Sequence, residues 1–481
     1  MTKFKEISPA VTARMSTSDF VFEDENSFGE RQIAELVHAY ERRRPGAYFD
    51  TSSLEEISIY YFECGRMQES LEVIDKILSY HPSCAYTWFR RGVLLGNMGR
   101  QEEALEAYEK SLELNPDDSE VLLNLGITLE ILGSHSKALE SFYEAVSVDP
   151  LNVDAIFYIG YMFVQEGRFD EALDALTRCA ELHPEHPDVW FEIAHCHNTL
   201  GNFEECLEAN NRQIDIDPYS CESWFNKAVV LTQMDRIEDA LLCYDYTLDI
   251  DPDFIPAYYN RGNILSIFRR YDEAISCYAE VITRKGEDAP AYCNMAHVMA
   301  EQGDTEESIR LYEKAVKLDP DLPEVWNGLG RGYMIQEQYR LAAKAHARAT
   351  ELCPDNADYW YGKGDAEMCA GYIKKALISF KKMTELAPDD YHVWMEYATV
   401  LSENRDHEGA LTAYEHALKL EPDSSTAWYY YSGILFLLGK MKRCRDALRR
   451  SIDLDPDNKE LFRKHCPPEI FDHPLFREYL T

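Results

Sequence analysis

Three short stretches carry side chains of the kind that hold metal ions. His195, Cys196 and His197 are consecutive, His183 and His186 flank Pro184 and Glu185, and His465, Cys466 and His473 lie near the C-terminus. Imidazole nitrogens and thiolates are the usual ligands of tetrahedral zinc. The spacing argues against it. On a helix, residues i and i+2 point about 200° apart, so the imidazoles of His195 and His197 cannot share an ion. His183 and His186 fall in a turn between helices and form no better cage. The three tail residues meet only through an unusual fold. Nor does the chain contain the phosphate-cradling GxxxxGK[ST], the HExxH of zinc hydrolases or the GxSxG of serine hydrolases. The expectation is a protein with no catalytic residues, no metal and no cofactor, whose function lies in its surfaces.

Composition narrows the partners of such a surface. The 481 residues are 46% hydrophobic and 28% charged, as in a folded chain, and too many for one ordinary core. With 48 basic against 86 acidic side chains the formal charge is −38. Nucleic acid and anionic membranes need a neutralising basic surface, so neither is expected as the main partner. The acidity serves solubility as a solvated coat, or it suits a basic or neutral protein partner. No stretch approaches the roughly 20 apolar residues of a membrane span. The N-terminal stretch up to Asn26 lacks an apolar core and a small-residue cleavage site, so the expected location is the cytoplasm. Thirteen cysteines, an odd number with no CxxC pair, read as reduced thiols.

The elements that position these residues follow from a period. Pro82, Pro116, Pro150, Pro184, Pro218 and Pro252, then Gly286, then Pro320, Pro354, Pro388, Pro422 and Pro456 are spaced by 34 residues without a slip. With this residue as position 32, twelve repeats run from Thr51 to Asn458. All seven tryptophans occupy position 4. Position 8 is Gly, Ala or Ser, position 20 is Ala, Ser or Cys, and position 15 is mostly Gly. Positions 1–14 and 18–31 show apolar residues at helical spacing. A glycine at position 15 ends the first helix in a left-handed cap, and a proline at position 32 ends the second. Small residues at positions 8 and 20 let the two helices approach closely. One such hairpin cannot bury its own apolar faces, so the units must stack. Cys179, Cys206 and Cys444 take small-residue positions and Cys196 sits beside one, which makes them small hydrophobes of the core.

The repeat's pattern is a tryptophan at position 4, leucine at position 7, glycine at position 8 and tyrosine at position 11 in the first helix. The second helix adds alanine at positions 20 and 27 and phenylalanine at position 24, before the proline at position 32. This pattern resembles the tetratricopeptide repeat. Residues 85–118 show it well, with Trp88, Gly92, Gly99, Ala104, Tyr108 and Pro116. The resemblance covers most of the chain. It implies an all-α fold, a right-handed superhelical α-solenoid of helix-turn-helix repeats, with first helices lining a concave groove. Residues 1–28 are expected to be a disordered tail, 29–50 an N-terminal capping helix, 51–458 the repeats, and 459–481 a C-terminal cap in which Phe471, Leu475, Phe476 and Leu480 cover the last repeat.

In this family ligands commonly lie against first-helix positions 2, 5, 6, 9, 12 and 13. Position 5 is aromatic in many repeats, and position 6 is Asn at Asn124, Asn226, Asn260 and Asn294. An amide donates and accepts at once, so stacked Asn side chains can hold an extended backbone of almost any sequence. The candidate peptide-binding residues are Phe157, Tyr161, Phe191, His195, Phe225, Asn226, Tyr259, Asn260, Asn263 and Asn294. Acids at position 2, namely Glu120, Asp154, Asp188 and Glu222, favour basic segments or simply suit the helix dipole. Position 5 has no basic residue, which disfavours capture of a C-terminal carboxylate. The functional expectation is a scaffold or adaptor that binds protein segments in the groove. The rivals are self-association through the ends or convex face, helped by the basic last repeat around Lys440 to Arg450, and a regulatory subunit.

Overall fold

The computed structural model describes residues 26–42, 49–465 and 474–476. These residues form helices joined by turns, without a strand among them. The chain divides into two compact units, Met1–Cys243 and Tyr244–Thr481.

Each repeat is one helix hairpin. In residues 85–118 the first helix is Ala85–Asn97 and the second Gln101–Leu114. The second helix starts at position 17, one residue earlier than expected. The reason lies at position 15, where the backbone turns left-handed and leaves one residue before the chain is helical again. Gly99 has φ +75° there, and nothing lies near where a Cβ would sit. The same position is left-handed in four repeats that lack glycine: Asp235, Arg269, Glu337 and Arg405 have φ between 58° and 64°. The turn geometry therefore belongs to the repeat and not to the glycine.

Inside a hairpin, the gap at position 8 receives the side chain at position 24. A Cβ on Gly92 would meet the ring of Tyr108 at 2.5 Å, one on Gly126 the ring of Phe142 at 2.5 Å, and one on Gly364 the ring of Phe380 at 2.8 Å. All three rings are fully buried. This is the close approach that small residues at position 8 permit. In many repeats the start of the first helix is tied back to the turn before it. In the seven repeats with Trp at position 4, the indole N–H donates to the proline carbonyl six residues earlier at 2.7–3.0 Å.

The ends of the array are covered. Helix Asn26–Glu41 lays Ile33, Leu36, Val37 and Tyr40 on a cluster that includes Leu54, Ile57, Tyr61 and Ile77 of the first hairpin. It begins before the expected residue 29. The tail expected over 1–28 lies outside the described residues up to 25. At the other end, Phe476 is fully buried, its ring 6.0 Å from that of Phe462 in helix Asp457–His465. Phe471, Leu480 and the side chain of Leu475 lie outside the described residues, as do Cys466 and His473. The described cysteines are free thiols. Burial pushes Cys179, Cys196 and Cys444 up to about 12, which suits packing and not reaction. Among the described residues no helix is long and apolar enough to cross a membrane.

Candidate functional site

Within each unit several successive first helices touch directly, as Val153–Gln165 does with Val189–Leu200, and Ile255–Ile267 with Ala289–Gln302, while among the described residues no two successive second helices are in comparable contact. The first helices therefore occupy the inner side of the stack in each unit. Positions 5, 6 and 9 project from that side.

In the first unit, Phe157 is buried. Its ring lies tilted against that of His186 at 4.5 Å between centroids and packs edge-on against Tyr158 at 5.7 Å. His186 lies 3.6 Å from the Asp154 carboxylate. Phe157 thus buttresses the face more than it lines it. Tyr161, half-buried, stacks behind it at 6.3 Å. Phe191, His195 and Asn226 surround a cavity of about 30 Å³, completed by Asn198, Cys206 and Asn210. The cavity exists because position 24 holds Asn210, a smaller side chain than the rings of other repeats. Asn210 turns its amide back onto the Cys206 carbonyl at 2.9 Å. Phe225 is half-buried beside Asn226. Desolvation lowers the pKa of His195, so its imidazole favours the neutral form.

In the second unit, Tyr259 donates its hydroxyl to Asp288. Burial and that carboxylate push the phenol upward. Asp288 caps helix Ala289–Gln302 through the Ala291 N–H and pairs with Lys285. Tyr259 is thereby committed to the fold through its hydroxyl. Asn263 accepts from the Tyr278 hydroxyl at 2.7 Å and from the Asn294 amide at 3.3 Å. Asn263 and Asn294 thus bond each other, so this part of the row of Asn side chains is closed upon itself. Asn124 likewise donates to its own helix, to the Glu120 carbonyl at 2.9 Å. Asn226 and Asn260 make no hydrogen bond among the described residues, and both are half-buried.

One group of this face was missed from the sequence. Glu192 occupies position 6, in register with the Asn residues, and is half-buried. Burial, reinforced by the neighbouring charge of Asp188, raises its carboxyl to about 7. Glu192 and Glu130 in turn push up the Tyr161 phenol, already raised by burial. A count of residue types at position 6 shows Glu192 as an acid among amides, but not that it is desolvated. The residues of the HCH stretch have separate surroundings. His195 faces the ring of Phe169 at 6.2 Å, Cys196 is buried, and His197 Nδ1 is enclosed without a hydrogen bond. Among the described residues no three His, Cys, Asp or Glu side chains converge as metal ligands. The chemistry available on the inner face is hydrogen bonding by amides and a protonatable carboxyl, between aromatic walls.

Tandem helix hairpins of one length, most of them closed by a side chain at position 24 against a small residue at position 8, define an all-α solenoid. Sequence profiles of the tetratricopeptide repeat match residues 85–118, 107–140, 163–220, 243–276, 328–391 and 397–459, and a TPR repeat profile matches 299–334. The chain belongs to the tetratricopeptide repeat family, whose arrays are protein-interaction scaffolds. No curated protein matches it. Among solved structures it is similar to YrrB, a TPR protein with an unusual peptide-binding site, at 24% identity, covering 39% of this chain and 96% of that one with a TM-score of 0.35. It is similar to MamA at 23% identity, covering 34% and 94%, TM-score 0.32. Yeast Tom70 is 16% identical, covering 86% and 98%, TM-score 0.39.

Proposed function

We propose that this chain is a scaffold or adaptor that binds extended protein segments along the inner faces of its first helices, without catalysis of its own. One observation carries the reading. Asn226 and Asn260 hold side-chain amides that make no hydrogen bond within the described residues, beside the half-buried rings of Phe225 and Tyr259. Neither amide is enclosed, so both stay free to donate to and accept from a peptide backbone. Rings supply apolar contact, amides engage the peptide backbone, and the acids Asp154, Asp188 and Glu222 favour basic segments.

The assembly role has less support. Most cations of the last repeat pair internally, Lys440 with Glu408 at 3.2 Å, Arg443 with Glu415 at 2.8 Å and Arg450 with Asp423 at 2.8 Å, and Lys442 alone of this set has no ion-pair partner among the described residues. The test is to capture partners with the full chain, identify them by mass spectrometry, and titrate the bound segment calorimetrically. Asn226→Ala and Asn260→Ala should each weaken binding with the helical spectrum unchanged. Undiminished binding by the double variant would remove the groove reading and leave the assembly role.

A further inference from the structure

Along each second helix, positions 18, 22, 25, 26 and 29 face away from the first helix. In residues 85–118 these are Glu102, Glu106, Glu109, Lys110 and Glu113, all exposed. Acids outnumber bases on this outer stripe in every repeat from the second to the seventh, in keeping with the formal charge of −38. The eighth, ninth, tenth and twelfth repeats reverse it, the adjacent ninth and tenth most strongly, with three bases to one acid each. Helix Tyr339–Leu352 presents Arg340, Lys344 and Arg348, and helix Ile373–Leu386 presents Lys374, Lys381 and Lys382. Both helices belong to the second unit and both pack on the same first helix, Ala357–Cys369.

Nearby acids neutralise only part of this patch. Arg348 pairs with Asp321 at 3.3 Å and Glu351 at 3.1 Å, and Lys382 with Glu385 at 3.2 Å. Lys375, beside the stripe, lies over the Tyr372 ring at 5.1 Å. Arg340, Lys344, Lys374 and Lys381 have no ion-pair partner among the described residues and are exposed. Apolar side chains stand among them. Ile378 is 68% exposed midway between Lys374 and Lys381, and Leu341 is 43% exposed beside Arg340. Lys374 and Lys381 are two helical turns apart, about 10 Å along the axis.

We propose that the outer face of these two helices docks an acidic amphipathic helix of a partner protein. Its carboxylates meet Arg340, Lys344, Lys374 and Lys381, and its apolar side chain covers Ile378. The surface differs from the inner face and does not depend on it. Charge complementarity selects the occupant. Nucleic acid or an anionic membrane extends its phosphates past the patch, against the acids of the remaining surface. A second copy brings another 38 negative charges with it. A single acidic helix presents its charge only where the lysines are, within the roughly 8 Å over which charges act at physiological salt.

The test uses the full chain and fluorescence anisotropy. The probe is a labelled helical peptide of about sixteen residues, with Glu at three- and four-residue spacing around a Leu stripe, and the control carries Lys for Glu. Saturable binding of the acidic probe that weakens with salt is expected. Lys374→Glu with Lys381→Glu should weaken it about tenfold, and Ile378→Ser should weaken it as well. These sites are exposed helix positions, so circular dichroism should stay unchanged. Asn226→Ala with Asn260→Ala should have no effect. The proposal is overturned by absence of saturable binding, by equal affinity in the charge-reversed variant, or by loss in the Asn variant instead. It is also overturned by tighter binding of RNA or phosphatidylserine vesicles through the same lysines, or by wild-type self-association that the reversal abolishes.

Discussion

Trp88 donates its indole N–H to the carbonyl oxygen of Pro82 at 2.9 Å. Pro82 stands in the turn where one repeat ends, and Trp88 in the first turn of the next first helix. The bond joins the two ends of that turn and sets the angle at which one hairpin follows another. It also explains why Trp and Pro share one period. Replacing Trp88 with Phe keeps the ring and deletes the donor. The expected cost is about 1 kcal/mol. Urea unfolding should show that loss, and amide exchange should quicken at residues 83–88 before it does elsewhere. Unchanged exchange in that turn would count against the bond.

The four left-handed residues that are not glycine carry conformational strain. Left-handed backbone costs an ordinary L-residue about 1–2 kcal/mol, partly offset by the greater unfolded-state freedom of glycine. Glu337, at φ 60°, makes no turn-specific side-chain bond among the described residues. Glu337→Gly should stabilise the protein by about 0.5–1 kcal/mol. Gly99→Ala should destabilise it by about 1 kcal/mol, from conformation alone, since a Cβ there meets nothing within 4 Å. Paired melting curves of the two variants check both signs at once.

These turns show which parts of the fold a sequence makes plain. A proline every 34 residues and a small residue at position 8 are properties of residue type, so period, hairpin and family were legible. Left-handed backbone at Arg269 and Arg405 was not, because glycine permits that conformation and its absence does not forbid it. The candidate site was legible in part. Which positions share the inner face follows from helical spacing. Whether a side chain there is free follows from rotamers, and Asn124 and Asn294 are already engaged where Asn226 and Asn260 are not. Glu192 escaped notice because its character comes from burial, which residue type does not show.

His346 supplies a pH-dependent term in the second unit. It takes the position-24 place, buried between Gly330 and Gly362, where a Cβ on either would come within 2.6 Å of the imidazole. Neither ring nitrogen has a hydrogen-bond partner among the described residues. Burial, helped by the charge of Arg331, lowers its pKa from 6.5 to about 4. The unfolded chain therefore takes up a proton first as pH falls. The associated stability is complete above about 6.5 and is lost progressively down through 4, to about 3 kcal/mol in all. His346→Phe, which copies Phe380 in the next repeat, should remove that term and the unpartnered nitrogens together. The unfolding free energy from urea curves at pH 7 and pH 4.5 should differ less in the variant than in the wild type by about 2.4 kcal/mol.

Glu192 titrates in the opposite sense in the first unit. Its folded carboxyl sits near 7 against 4.5 for the free group, because burial and the charge of Asp188 disfavour the anion. The folded state therefore holds the proton longer. Stability is full below about 4.5 and falls as pH rises through 7, by about 3 kcal/mol at most. Glu192→Gln mimics the protonated form and should stabilise the protein at pH 8 while changing little at pH 4. The substitution also reaches the inner face. A protonated carboxyl or a Gln amide can donate as well as accept, as Asn226 does at the same position of the next repeat, whereas a carboxylate only accepts. Peptide affinity of the wild type should then change between pH 6 and pH 8, and Glu192→Gln should hold the pH 6 value throughout. Carbon-13 NMR of labelled glutamate reads the titration directly. A Glu192 carboxyl that titrates near 4.5 would remove both effects.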